Sequence, residues 1–162
     1  MATLLLRAML TISCHCGAIR LEFARRPRKL TQCNCSICRR YGAIWAYYRR
    51  KSVQVACRRS ALAVYSWGHK GRQFYRCKNC GSVTHYESAR KRTDGSDWLA
   101  INVRNIDDPE LVAGLPIKML DGASTWKVLG EHIQPDLFRS PIARSKKIVG
   151  DPKRSRASRR AV

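Results

Sequence analysis

The sequence lacks the features that define several classes of protein. No apolar run approaches the ~18–20 residues that a membrane-spanning helix needs, and there is no Gly-X-Y period, sustained heptad or long internal repeat. Acidic residues are scarce: 11 aspartates and glutamates stand against 32 lysines and arginines, for a formal net charge of +21. We therefore exclude a helical membrane protein, a collagen, a coiled coil and a repeat array, and we expect no membrane partner.

The first ten residues also lack the parts of a secretory signal. They have no charged start, Arg7 interrupts their apolar run, and no small-residue cleavage site precedes Cys14. We expect residues 1–10 to form an N-terminal extension of a cytoplasmic protein. Thiols stay reduced in the cytoplasm, and clustered cysteines there bind metal more often than they form disulfides.

What the sequence does contain is enough for one domain and a tail. Of its 162 residues, 44% are hydrophobic, which suffices for a core of ordinary size. From residue 139 onward the apolar pattern is lost, and that segment holds nine lysines and arginines and one acid, Asp151. We expect a folded domain over residues 11–138 and a disordered basic tail over residues 139–162.

Hydrophobic alternation predicts that the domain is mainly β. Ile19, Leu21 and Phe23 alternate with Arg20 and Glu22, as in a strand with one buried face. Comparable short segments predict strands at 18–23, 43–48, 53–55, 61–67, 72–76, 83–86, 98–103 and 117–120, with a hairpin turn at 68–71.

One short helix is expected in the second half of the chain. Asp108 stands at a capping position, and Pro109 follows at the first helical position. Gly114 and Pro116 would end the helix after little more than one turn. The polar, charged segment at 90–95 predicts an exposed loop.

Seven of the eight cysteines fall into three tight groups. Cys-x-Cys and Cys-x-x-Cys spacings allow two sulfurs to reach one ion from a single turn, and thiolates are preferred zinc ligands. A structural zinc site has four protein ligands and a catalytic site has three with one open position, so seven cysteines divide naturally into four and three. The groups are Cys14 with Cys16; Cys33, Cys35 and Cys38; and Cys77 with Cys80.

Two alternatives to this division remain open on the sequence. The middle group could be closed by a fourth ligand, or the cysteines could form disulfides. The eighth cysteine, Cys57, fits an ordinary half-buried strand position, and each histidine is more typical of a structural or surface residue than of a catalytic one. The candidates for a fourth ligand are Cys57, His15, His69, His85 and His132.

The cysteine groups carry a resemblance to a known family. Ser13-Cys-His-Cys-Gly17, Cys33-Asn-Cys-Ser-Ile-Cys-Arg39 and Cys77-x-x-Cys-Gly-Ser82 resemble the glutathione-dependent formaldehyde-activating enzyme family, which includes the centromere protein V relatives. The resemblance covers residues 11–126. Phe74, Ile106-Asp-Asp108 and Trp126 add to it. Near Pro116, where many members carry a histidine, this chain has none.

The resemblance implies a fold, two metal sites and an activity. The fold is Mss4-like, also called a β-tent: small antiparallel sheets held by zinc. The activity is carbon–sulfur lyase chemistry that interconverts formaldehyde plus glutathione with S-hydroxymethylglutathione, so the expected partner is a small glutathione-like thiol. Two zinc ions per chain are implied. Cys14, Cys16, Cys77 and Cys80 would be structural ligands, and Cys33, Cys35 and Cys38 catalytic ligands.

Other residues near the middle group are candidates for substrate handling. Arg39 and Arg40 directly follow Cys38 and would attract carboxylates of glutathione. The candidates for a general base are Tyr41, His69 and His85, which have side chains of a suitable chemical type.

A competing interpretation starts from the charge. A zinc-stabilised basic module without enzymatic activity would bind nucleic acid or another polyanion. The aromatic and basic stretch Arg39–Lys51 would then stack bases and neutralise phosphates, or else form a core strand flanked by solvated charges. The segment Lys153–Arg160 would serve as a non-specific basic arm.

Overall fold

The computed structural model describes residues 9–90, 97–134 and 137–138. This part of the chain is mainly β, as predicted, with eleven strands and one short α-helix. The elements are β1 (Leu10–Ser13), β2 (Ile19–Phe23), β3 (Leu30–Cys33), α1 (Ser36–Tyr41), β4 (Ile44–Arg49), β5 (Val53–Cys57), β6 (Leu62–Tyr65), β7 (Arg72–Cys77), β8 (Val83–Ser88), β9 (Trp98–Asn102), β10 (Ile117–Leu120) and β11 (Val128–His132). The predicted tail at 139–162 and most of the predicted loop at 90–95 lie outside the described residues.

The strands form two sheets. The small sheet has the order β1-β2-β5, and the large sheet has the order β11-β10-β3-β4-β9-β8-β7-β6. Neighbouring strands are antiparallel, with one exception among the described pairs: β10 runs parallel to β3. That parallel pairing brings the end of β10, at Leu120, beside Cys33 at the end of β3.

The main core contains residues from both sheets. Ile19, Leu21 and Phe23 of β2 are fully buried, as their alternation predicts, and cluster with buried residues of the large sheet such as Leu99 and Ile101. Full burial of one such side chain contributes roughly 1.5–3 kcal/mol, so this face supplies most of the driving force for folding. We call the face of the large sheet that joins this core the inner face and the opposite one the outer face.

The register of the strands places a second group of aromatic residues on the outer face. Trp45 and Tyr47 alternate with inner-face residues along β4. Tyr47 lies opposite Ala100, Ala100 lies opposite Tyr86, and Tyr86 lies opposite Phe74. Because residues directly opposite each other share a face, these side chains form one surface, against which α1 packs through Ile37 and Cys38.

The predicted helix was correct in position but wrong in type. Pro109–Leu111 forms only one 3-10 turn, although Asp108 does cap it by accepting a hydrogen bond from the Glu110 N–H (3.2 Å). The α-helix lies instead at Ser36–Tyr41, within the middle cysteine group, where a tight turn was expected. Six residues give too few hydrogen bonds for a stable isolated helix, so packing of its buried face on the large sheet stabilises it.

The remaining strand predictions were largely correct. Every predicted strand segment has a counterpart, and the turn at 68–71 joins β6 to β7, with Gly68 at a positive φ of 57°. Three strands were missed, because β1, β3 and β11 are short and lack a long alternating pattern: Leu10–Ser13, Leu30–Cys33 and Val128–His132. None of the helices in the described residues is long and apolar enough to span a bilayer.

Burial of His85 makes the stability of the fold depend on pH. It is buried on the inner face, its ring stacks on Tyr75 at 4.4 Å, and its Nδ1 lies 2.9 Å from the Thr84 hydroxyl. Burial, with the positive charge of Arg50 as a second cause, lowers the pKa of His85 to about 3. The unfolded chain therefore binds a proton at His85 below about pH 6.5 that the folded chain does not bind, and stability falls as the pH falls from there towards 3.

We predict that His85→Phe makes unfolding less dependent on pH. Between pH 6.5 and 5 the free energy of unfolding of the variant should fall less steeply than that of the parent protein, by about 1 kcal/mol per pH unit. Urea unfolding of both metal-loaded proteins at several pH values measures the two slopes. Equal slopes would show that His85 is not held neutral by burial.

Candidate metal centres

The first candidate site joins the two sheets. Cys14 follows β1 of the small sheet, whereas Cys77 ends β7 of the large sheet. Each lies at the start of a tight turn that a glycine closes: Gly17 donates to the Cys14 carbonyl (2.8 Å) and Gly81 to the Cys77 carbonyl (3.0 Å). Both glycines have a φ of 76°, which side-chain-bearing residues rarely adopt, so each turn requires a glycine directly after its cysteine pair.

The four sulfurs of this site are spaced for one metal ion. Cys14 Sγ and Cys16 Sγ are 3.6 Å apart, as are Cys16 Sγ and Cys77 Sγ, and Cys80 completes the group. Two thiolates on one tetrahedral zinc ion are about 3.8 Å apart at a Zn–S distance of about 2.3 Å, whereas a disulfide bond is about 2.05 Å long. The cysteines are free, so the disulfide alternative was wrong, and the donor set fits a zinc ion.

The second candidate site lies on the outer face of the large sheet. Cys33 ends β3, Cys35 precedes α1 and Cys38 lies within α1. Their sulfurs lie within 4.8 Å of one another. The helix thus brings Cys38 back towards the two cysteines before it. Cys33 and Cys38 are buried, whereas Cys35 is partly exposed, so this site meets the solvent on the Cys35 side.

Within the described ranges, no other cysteine, histidine, aspartate or glutamate places a ligand atom in this second group. The five residues considered as a fourth ligand lie elsewhere. His85 is on the inner face, Cys57 pairs with Ile19 in the small sheet, and His15 is in the turn of the first site. His69 lies in the β6–β7 turn, and His132 ends β11. The structure therefore brings three thiol ligands together here and four at the first site.

Polar contacts hold the second site in place. The buried Trp45 donates its Nε1–H to Cys38 Sγ at 3.3 Å, and the Cys35 backbone N–H points at Cys33 Sγ at 3.5 Å. The Cys38 thiol is the main cause of a low pKa at Cys33, about 5, and in turn Cys33 raises the pKa of Cys38. A divalent cation bound between these sulfurs would favour their thiolate forms.

A loop after β10 encloses the Cys33 side of the site. Asn34 donates from Nδ2 to Asp121 Oδ1 (2.9 Å) and accepts from the Ala123 N–H (2.9 Å). Thr125 donates its hydroxyl to Asp121 Oδ2 (2.7 Å) and thereby tightens the same loop. Trp126, at the end of this loop, has a φ of 58° and is 67% exposed, although tryptophan is usually more buried.

Gly122 is the residue of this loop that sequence reasoning missed. A Cβ built on it would lie 2.3 Å from Cys33 Sγ and 3.2 Å from Cys35 Cβ. No residue with a side chain therefore fits there without displacing the sulfur. Only the parallel pairing of β10 with β3 brings position 122 beside Cys33, so nothing in the local sequence could have indicated this contact.

The structure places the other predicted site residues at different distances from the second site. Tyr41 ends α1 and its ring packs on Phe74 at 5.8 Å, next to the second site. His69 is exposed in a turn. His85 lies on the opposite face of the sheet and therefore does not contact Cys33, Cys35 or Cys38. Arg39 and Arg40 are exposed in the last turn of α1, where Arg40 donates to the Ser36 carbonyl (2.8 Å).

The structure favours the core-strand interpretation of Arg39–Lys51 over the alternative that this stretch stacks bases. Its middle is β4, whose residues Ile44, Trp45 and Ala46 are buried. Trp45 is only 1% exposed and contacts Cys38, so its ring is not available to nucleic acid. The predicted basic arm at 153–160 lies outside the described residues.

Fold and sites together define a mainly β protein with two cysteine clusters that could hold metal ions. The family model for the glutathione-dependent formaldehyde-activating enzyme matches residues 9–114. The chain belongs to this family. The match contains all seven clustered cysteines.

A solved structure shows the same architecture. The chain is similar to the crystal structure of a Rhodobacter sphaeroides protein, a Northeast Structural Genomics target, with 28% sequence identity and a TM-score of 0.53. The similarity covers 66% of this chain and 98% of that chain. A comparison with curated protein sequences gives no significant match.

We predict that Gly122→Ala removes metal from the second site only. The added methyl group would displace Cys33 Sγ, whereas the four sulfurs of the first site lie elsewhere in the fold. Metal analysis of the purified variant should give about one zinc per chain against about two for the parent. Gly130→Ala is the matched control, because a Cβ there meets no atom within 4 Å. Two zinc ions in Gly122→Ala would contradict the geometry.

The first site should matter more for stability than the second. Because a metal held by Cys77 would join the β7–β8 turn to the small sheet, we expect Cys77→Ser to lower the free energy of unfolding by at least about 4 kcal/mol, as expected for loss of a structural metal. Cys57→Ser, a partly buried cysteine outside both clusters, should cost far less. Thermal unfolding monitored by circular dichroism compares them, and similar midpoints would contradict a structural role.

Proposed function

We propose that the protein is a zinc-dependent carbon–sulfur lyase that interconverts S-hydroxymethylglutathione, or a closely similar thiol–aldehyde adduct, with formaldehyde and the free thiol. The observation that carries this proposal is the cluster of three cysteines on the outer face, which no described fourth ligand closes. Membership of the family supports the link to formaldehyde and glutathione. A cytoplasmic location, where glutathione is abundant and thiols are reduced, is part of the same proposal.

The two clusters would have different roles. Cys14, Cys16, Cys77 and Cys80 would hold a structural zinc, since four thiolates complete a tetrahedral site. Cys33, Cys35 and Cys38 would hold the catalytic zinc and leave one position for substrate. Bound there, zinc would supply Lewis acidity and would favour the thiolate form of a sulfur ligand.

The reaction needs no oxidant or reductant. In the cleavage direction the carbon–sulfur bond breaks and its electron pair stays on sulfur. The hydroxyl oxygen loses its proton and becomes the carbonyl oxygen of formaldehyde, while the sulfur regains a proton. Net proton uptake is zero, so the site has to stabilise a developing thiolate and to orient the adduct rather than store charge.

The residues around the cysteines suit these two tasks. The Trp45 N–H stabilises negative charge on Cys38. The Asn34–Asp121–Thr125 hydrogen bonds hold the loop that carries Trp126 beside the site. Since Cys35 is the partly exposed cysteine of the three, substrate would approach from its side, with the exposed indole of Trp126 close by.

We predict that Cys35→Ser loses most of the turnover but keeps the fold. The variant should lose at least tenfold in the catalysed rate and about one zinc per chain, because a serine hydroxyl is a much poorer zinc ligand than a thiolate. NMR exchange spectroscopy of formaldehyde with glutathione measures the rate, after subtraction of the reaction without enzyme. That subtraction is needed because formaldehyde adds to thiols without a catalyst.

Cys57→Ser is the matched control, since it makes the same atomic change in β5, outside both clusters. It should keep full turnover and both zinc ions. Full turnover by Cys35→Ser together with two zinc ions would refute the assignment of the catalytic site.

A further inference from the structure

A cleft of about 540 Å³ lies on the outer face of the large sheet, and the mechanism above makes no use of it. Its volume is in the range of small-molecule sites. Register places its lining on one face: Ala100 lies opposite Tyr47 and Tyr86, and Arg72 lies opposite Ser88. The lining residues are Tyr47, Arg72, Tyr86, Ser88, Trp98 and Ala100.

One buried side chain connects this cleft to the second cysteine site. Trp45 donates its Nε1–H to Cys38 Sγ at 3.3 Å, and the same indole meets the Tyr86 ring edge-on at 4.8 Å between centroids. A single indole therefore separates the Cys38 sulfur from the aromatic wall of the cleft. In a tripeptide such as glutathione the thiol is on the central residue, and each residue adds up to about 3.5 Å of reach. A ligand whose sulfur lies at the cysteines can therefore extend a carboxylate-bearing end towards the cleft.

The cleft combines aromatic surface with one positive charge. The Arg72 guanidinium lies over the Tyr86 ring, 5.9 Å from its centroid, and it has no carboxylate partner among the described residues. Next to the cleft, the Arg49 guanidinium lies over the Trp98 ring at 4.9 Å, which adds a second positive charge at the rim. A planar guanidinium held at an aromatic surface is the preferred partner of a carboxylate in proteins.

The cleft also offers a directed hydrogen-bond donor. Tyr86 donates its hydroxyl hydrogen to the Tyr47 oxygen (3.2 Å), which leaves the Tyr47 hydrogen for another acceptor. Tyr47 is 44% exposed, so that acceptor can be a ligand. A carboxylate accepts from both the phenol and the guanidinium, whereas a neutral hydroxymethyl thiol without a tail would reach neither.

We propose that this cleft binds the carboxylate-bearing tail of the thiol substrate, and that Arg72 is the residue that selects anionic thiols over neutral ones. The inference rests on the proposed function for the identity of the thiol. It extends that function from the reacting sulfur to the part of the substrate that decides specificity.

The test is a binding experiment that does not depend on turnover. S-Methylglutathione keeps both carboxylates of glutathione but has no free thiol, so its binding reports the tail site alone. Isothermal titration should show binding to the zinc-loaded parent protein and a dissociation constant raised at least tenfold in Arg72→Gln. Arg20→Gln is the matched control, because it removes one exposed positive charge outside the cleft, and it should bind like the parent.

Kinetics supply the second measurement. In Arg72→Gln the KM for S-hydroxymethylglutathione should rise at least tenfold with little change in kcat, while the formaldehyde adduct of 2-mercaptoethanol, which has no carboxylate, should react as with the parent. The inference is overturned if the parent does not bind S-methylglutathione, or if Arg72→Gln binds it as tightly as Arg20→Gln does. Binding that depends on Arg72 without any turnover would instead support the cleft and refute the lyase.

Discussion

Sulfur atoms held close together are the constraint on which the rest of this structure depends. Four of them lie where β1 of the small sheet meets the β7–β8 turn of the large sheet, at separations that suit one metal ion. Apolar packing between the sheets is non-directional and would tolerate sliding. A tetrahedral set of thiolates is directional, so a metal held by Cys14, Cys16, Cys77 and Cys80 would fix the relative position of the sheets.

That constraint decides what the outer face of the large sheet can do. The inner face of the large sheet packs in the core, so only the outer face can hold a site that substrate reaches. Alternation along β4 sends Ala46 to the core and Trp45 to the cysteines of the second site. The same alternation continues across β9, β8 and β7, and it produces a single surface from Cys38 to Arg72. Reaction centre and specificity cleft would thus share one rigid sheet, which holds their separation constant for a substrate that bridges them.

The second site also shows why a three-ligand cluster needs support from its surroundings. Three sulfurs in a partly buried place repel one another when ionised, and no fourth ligand joins them among the residues that the structure describes. The indole N–H of Trp45 compensates for part of this repulsion by donating a hydrogen bond to Cys38 Sγ, and Gly122 leaves the room that Cys33 Sγ occupies. Neither residue is a ligand: Trp45 lies on the strand that follows α1, and Gly122 comes from a loop distant in the chain.

The sequence by itself determined the chemistry of the ligands and much of the strand pattern. Cysteine spacing predicted the division into four and three, because the reach of two sulfurs from one turn is a local property. Alternation in β2 predicted its buried face for the same reason. Only the tertiary structure decided that β10 pairs in parallel with β3 and so brings Gly122 to Cys33. It also decided that Ser36–Tyr41 is a helix, and that Tyr47, Tyr86 and Arg72 share a cleft. These features depend on which strands become neighbours, and contacts between distant segments leave no periodic trace in a single sequence.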